Sequence, residues 1–131
     1  IEIDKALDMK TVKTLFLCNR QKTSFYLFVT AGDKPFVTKD FSSALGISRV
    51  SFASAEMLDE IIGTKVGATT IFGVLRKEAE DVQVVFDKEV CDDEWFGCSD
   101  GTTTGYMKLK TEDILKKLLP YSKHRYTVIE V

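Results

Sequence analysis

Thr11-Val-Lys-Thr-Leu-Phe-Leu-Cys18 and Ser24-Phe-Tyr-Leu-Phe-Val-Thr30 decide how this chain folds. Both read as strands, joined by a turn over residues 19–23. Side chains alternate along a strand, so Val12, Thr14 and Phe16 point one way and Lys13, Leu15 and Leu17 the other. Apolar groups therefore lie on both faces. The second stretch is a continuous apolar run, the pattern of a strand buried on both sides.

Working outward, residues 31–34 form the next turn. Thr38 is expected to cap a short helix that sets Phe41, Ala44 and Leu45 on one face and ends at Gly46. Residues 49–53 read as a short strand. Ser54 then caps a helix with Met57, Leu58, Ile61 and Ile62 inward and Glu56, Asp59 and Glu60 outward, closed by Gly63. Residues 69–75 and 82–86 read as strands, and residues 102–110, rich in Thr, as extended chain. Thr111 opens a last helix, with Glu112 and Asp113 at its positive end and Lys116 and Lys117 toward its negative end. Pro120 is expected to stop it, and residues 125–131 form a final strand. About seven strands and three helices result: an α+β chain with a mixed, largely antiparallel sheet and helices packed on it. Strict βαβ alternation is absent, as are GxGxxG and GxxxxGK[ST], which argues against a dinucleotide or P-loop fold.

At 131 residues the chain is one domain and needs neither disulfide nor metal to fold. With 18 basic and 20 acidic residues the net charge is −2, which excludes a strongly basic wrapper of duplex DNA. A site touching a few phosphates stays open. No apolar run is long enough to span a bilayer. Three cysteines (Cys18, Cys91, Cys98) argue for a reducing compartment rather than a disulfide scaffold. With one histidine and no CxxC or HxxxH spacing, zinc is not expected. No segment reads as a signal peptide. The chain begins at Ile1 rather than Met, which leaves room for missing residues upstream. Charge is uneven: residues 76–100 hold nine acids against three bases, and residues 108–131 six bases against three acids. Solvated loops and helix faces account for this, and any polyanion contact would avoid the acidic stretch.

Lys13 stands out. It shares a strand face with apolar neighbours, where an ammonium is costly without a partner. Either it reaches water from a strand end, or it projects into a pocket to hold an anion or polarised carbonyl. Gly67-Ala-Thr-Thr-Ile-Phe-Gly73 is either a loop-to-strand transition or a segment whose glycines let backbone N–H groups approach a ligand. Gly97-Cys-Ser-Asp-Gly-Thr-Thr-Thr-Gly105 is either a hairpin loop or an anion nest. No nucleophile motif surrounds any Ser or Cys. A dyad of His124 with a cysteine is disfavoured, because cysteines are more often small buried hydrophobes. Trp95 and Phe96 read as a core anchor rather than a base-stacking platform.

At these residues the chain resembles the YbaK/prolyl-tRNA synthetase editing superfamily, most closely its free-standing ProX (PrdX) branch. The matching stretches are Val12-Lys-Thr-Leu-Phe-Leu17, Leu45-Gly-Ile-Ser-Arg-Val-Ser-Phe-Ala-Ser54, Gly67–Gly73, Val84-Val-Phe-Asp87 and Thr111-Glu-Asp-Ile-Leu115. They run in order along the chain, and the resemblance covers roughly residue 8 to the C-terminus. The resemblance implies a barrel-like mixed sheet flanked by helices and a single deacylase-type domain over residues 1–131, lacking an N-terminal segment. It also implies hydrolysis of the ester on mischarged tRNA, typically alanine on proline tRNA, in the cytoplasm and without metal or other cofactor. The implied partners are the tRNA acceptor end and prolyl-tRNA synthetase, with no membrane and no DNA. A non-catalytic module that binds the acceptor end or the synthetase is the alternative.

Carried over by resemblance, Lys13, Gly73 and Ser99 take the catalytic positions. Thr70, Ile71, Phe72, Gly97, Asp100 and Gly101 take substrate-binding ones. Two departures stand out. Ile71 replaces the Pro usual in the branch, which would leave the loop less rigid, and Ser99 falls where many members have His. The family also carries an N-terminal helix and strand ahead of the position of residue 1, and their absence would open one wall of the pocket.

Overall fold

A computed structural model describes residues 10–32, 34–64, 69, 71–92, 95–99 and 106–130. Its strands are β1 (Lys10–Asn19), β2 (Phe25–Ala31), β3 (Val50–Phe52), β4 (Gln83–Asp87), β5 (Trp95–Ser99), β6 (Tyr106–Lys110) and β7 (Tyr126–Ile129). They pair in the order β6-β5-β1-β2-β4-β7, and β3 pairs with β1. Strands β1, β2, β3, β4 and β7 make a mixed five-stranded body. Strand β5 joins it only at the start of β1, through Lys10 and Thr11.

Two expectations need correction. The sheet is not closed into a barrel among the described residues, since its order runs open from β6 to β7. Nor is it largely antiparallel: β1–β2, β1–β3 and β5–β6 are antiparallel, whereas β1–β5, β2–β4 and β4–β7 are parallel. Long crossovers permit the parallel pairs, and all three carry helices. Consecutive strand signals reveal the hairpins but not which strand each crossover returns to.

Turn and cap chemistry sets the boundaries. Asn19 Oδ1 accepts from the N–H groups of Thr23 and Ser24 at 2.8 and 3.1 Å, which closes the β1–β2 turn. Helix α1 (Thr38–Leu45) ends at Gly46 in the left-handed region, φ 67°. Its N-cap is Val37 rather than Thr38, and Ala44 is exposed while Phe41 and Ser42 are buried. Helix α2 spans residues 55–62; Ser54 Oγ accepts from Met57 N–H at 3.2 Å, and Gly63 closes it at φ 81°. Its last turn is wide, with Gly63 N–H donating to the Leu58 carbonyl.

The expected strand over residues 69–75 is instead a 3₁₀ turn, Ile71–Leu75, followed by a second, Lys77–Ala79. A short apolar run does not by itself separate strand from helix. Helix α3 (Lys88–Asp92) and helix α4, over residues 111–121, complete the chain. In α4, Glu112 pairs with Lys116 and Asp113 with Lys117, one turn apart, at 3.0 and 3.3 Å. Pro120 does not stop this helix, which runs to Tyr121. The Leu119 N–H donates to the Ile114 carbonyl, so the ring enters a turn already widened.

The sheet is covered on both faces. Val12, Phe16, Leu27, Val29, Val84 and Phe86 pack against α2, the 3₁₀ turns and α4. Leu17, Tyr26, Phe28 and Val85 pack against α1 through Phe41. The Phe28 and Phe41 rings meet edge to face at 4.9 Å, worth about 1 kcal/mol beyond their buried area.

Candidate functional site

Lys13 lies on the α1 side of β1, half-buried, with Thr30 of β2 directly across the ladder. Val29 pairs with Phe86, so Thr30 is level with Asp87 at the end of β4. Thr30 Oγ1 donates to Asp87 Oδ2 at 2.7 Å, and Lys34 Nζ donates to the same oxygen at 2.7 Å. Lys13 Nζ donates to the Lys34 carbonyl oxygen. The Lys34 N–H closes the expected turn on Ala31 O at 3.1 Å. Asp87 Oδ1 accepts from the Glu89 N–H at 3.3 Å, at the start of α3.

Two ammonium groups and one carboxylate thus form a connected set with a surplus positive charge. Asp87 is 1% exposed, and its ion pair with Lys34 is correspondingly shielded from water. Removing one partner of such a pair costs about 3–5 kcal/mol, because the other is left buried and uncompensated.

On the other side of β1, Gly97 is buried and pairs with Thr11, two positions before Lys13. The parallel ladder between the two strands ends at this pair. Ser99 itself ends β5, opposite Tyr106. Asp100 and Gly101 lie outside the described residues, as does Thr70.

Ile71, Phe72 and Gly73 are placed differently. Ile71 is fully buried among Val12, Phe16 and Leu27, on the face opposite Lys13. Phe72 packs half-buried against the same cluster. Gly73 is pressed onto α2. The described part of the Gly67–Gly73 segment therefore does not meet the Lys13 ammonium, whereas Gly97 pairs with β1 at Thr11, two residues before Lys13.

Other reactive groups have structural partners. His124 is buried, with Nε2 donating to the Ala79 carbonyl at 2.8 Å and Nδ1 facing Ser122 Oγ at 2.9 Å. The Cys91 thiol is pushed up to about 11 by burial and by the nearby carboxylates of Asp92 and Asp87. It is neutral at ordinary pH and a poor nucleophile. Among the described residues, no three of His, Cys, Asp and Glu gather as a metal site. No helix among them is long and apolar enough to cross a membrane. Sequence reading missed Lys34, Thr30 and Asp87 as site members. Asp87 had a signal, an acid closing an apolar strand, whereas Lys34 looks like any turn lysine.

The chain matches the aminoacyl-tRNA editing domain family over residues 5–117. It is similar to the prolyl-tRNA editing protein ProX of Acetoanaerobium sticklandii, with 30% identity over 120 residues, covering 92% of this chain and 73% of that protein. Two solved structures share the fold. One, a hypothetical protein, has a TM-score of 0.72 at 18% identity and covers 98% of this chain and 81% of its own. The other, proposed to be a trans-editing enzyme for prolyl tRNA synthetase, has a TM-score of 0.71 at 16% identity, with coverage of 99% and 78%. With the strand that carries Lys13 inside the matched region, the chain belongs to the aminoacyl-tRNA editing domain family.

Proposed function

We propose that this protein hydrolyses, in trans, the ester that joins a wrong amino acid to tRNA, with alanyl-tRNA(Pro) as its main substrate. The observation that carries the reading is Lys13: an ammonium held half-buried on the sheet by the Lys34 carbonyl, in a chain of the editing family. An ester is already activated relative to an amide. The remaining barrier is attack by water and the charge that builds on the carbonyl oxygen. A cation and backbone N–H groups fixed toward that oxygen lower it.

An ammonium has three donors. One of those on Lys13 is given to the Lys34 carbonyl, and the proposal assigns the others to the acyl oxygen or the terminal nucleotide. Backbone N–H groups of the Gly97–Gly101 segment add further donors, with Ser99 at the level of the reacting carbon. Water adds to the acyl carbon, the ester C–O bond breaks, and the ribose hydroxyl takes up a proton. A neighbouring ribose hydroxyl, rather than a protein base, activates that water. No metal takes part in this scheme, and the partners are the tRNA acceptor end and prolyl-tRNA synthetase.

The test is a deacylation panel over several mischarged tRNAs, run for the wild type and Lys13→Ala. The reading requires fastest release from alanyl-tRNA(Pro), lost in the variant. Retarded tRNA on a gel with its ester intact would mark a binding module instead.

A further inference from the structure

We propose that Asp87 is a positioning residue for Lys13, acting through Lys34. The proposal rests on the reading of Lys13 as the cation at the reacting ester. A lysine has a flexible four-carbon stem, and its ammonium sweeps a wide volume unless something holds it. Here the Lys34 carbonyl holds it. That carbonyl is fixed in turn because Lys34 is tied at two points. Its N–H is on Ala31 O at 3.1 Å, and its Nζ is on Asp87 Oδ2 at 2.7 Å.

Asp87 is the fixed end of the chain of contacts. It is 1% exposed, stands at the end of β4, and also accepts from Thr30 Oγ1, whose residue faces Lys13 across the ladder. The contacts therefore form a loop: Lys13 to Lys34, Lys34 to Asp87, Asp87 to Thr30, and Thr30 back to Lys13 through the β1–β2 pairing. The carboxylate also offsets one of the two ammonium charges, so the Lys13 ammonium is not driven out of the site by the second. A carboxylate that merely capped α3 would need only the Glu89 contact. The bond to Lys34 joins it to the turn that grips Lys13.

The experiment uses the full chain and alanyl-tRNA(Pro), with Asp87→Asn, Lys34→Met and Lys34→Arg, each alone and combined with Lys13→Ala. Asp87→Asn and Lys34→Met should lower kcat by about tenfold to a hundredfold, as misplacing a reacting group does. KM for the tRNA should stay within about twofold, because one ammonium is a small part of the contacts that a whole tRNA makes. Lys34→Arg, which still donates to Asp87, should recover most of the rate. Neither loss should add to that of Lys13→Ala, since residues acting through one group are not additive. If Lys34→Met, which leaves the buried Asp87 carboxylate uncompensated, does not fold, Asp87→Asn carries the test, because the ammonium it leaves on the partly exposed Lys34 reaches water. Equal losses with and without Lys13 would overturn the proposal, as would a Lys13-dependent activity indifferent to both variants. A silent Lys13→Ala would overturn the underlying reading of Lys13 as well.

Discussion

Gly73 lies so close to Ile62 that a Cβ on it would stand 2.5 Å from Ile62 Cγ2. The contact locks the 3₁₀ turn Ile71–Leu75 onto α2, where both residues are buried. Gly73→Ala should therefore lower stability by about 1–3 kcal/mol, the usual cost of overpacking a filled core. Urea unfolding of the two proteins measures it, and an unchanged midpoint would show that Ile62 yields freely.

Lys13→Ala should reduce deacylation by about 10²–10³-fold, as loss of one preorganised oxyanion donor does. Its thermal unfolding should change little, because the side chain is half-buried and gives one bond to a turn carbonyl. Lys13→Arg should restore only part of the rate, since a planar fork does not reproduce a compact ammonium. Initial rates on mischarged tRNA, taken beside circular dichroism melts, separate lost chemistry from lost fold.

His124 ties the chain after α4 to the second 3₁₀ turn, across 45 residues of sequence. Substitution by Ala leaves the Ala79 carbonyl buried without that donor. About 1–3 kcal/mol of stability should go with it. The rate per folded molecule should be untouched. A fall in deacylation with an unshifted melt would instead give His124 a part in the reaction.

Cys91 gives a prediction with pH. Its thiol is raised from 9.0 to about 11, chiefly by burial and then by Asp92 and Asp87. On raising the pH, the unfolded chain loses this proton first, near its ordinary value, while the folded chain keeps it. Between those two values the folded state binds more protons, so stability falls as pH rises. Below that window the contribution is constant. Melts of the wild type against Cys91→Ala through the alkaline range should show the extra loss only in the wild type. Iodoacetamide should label the native thiol slowly at neutral pH, and rapid labelling would contradict the raised value.

Local chemistry was readable from sequence wherever it rested on neighbours in the chain. Ser54 caps α2 and Gly46 and Gly63 end their helices as expected, and β2 is buried from Tyr26 to Ala31. The editing family was readable as well, through the resemblance of five stretches to its motifs. Pairing was not, because the parallel partners of β2 and β4 arrive from distant sequence. Strand β5 was missed behind Asp92, Asp93 and Glu94, whose charge hides a short apolar run. Around Lys13 the alternation correctly gave its face. The roles of Lys34 and Asp87 depend on a contact between residues 53 positions apart, which no local pattern encodes.

The order of the strands also bears on how the molecule is made. Strands β1, β2 and β3 all lie within the first 52 residues and pair among themselves, so they can assemble early as the nascent chain leaves the ribosome. The far edge of β2 then stands bare, a template for wrong partners, until residues 83–87 arrive to cover it. Asp87 is the last residue of that covering strand. The Asp87 tie on Lys34 thus forms only once β4 is made, and a truncated chain that forms the hairpin would still lack it.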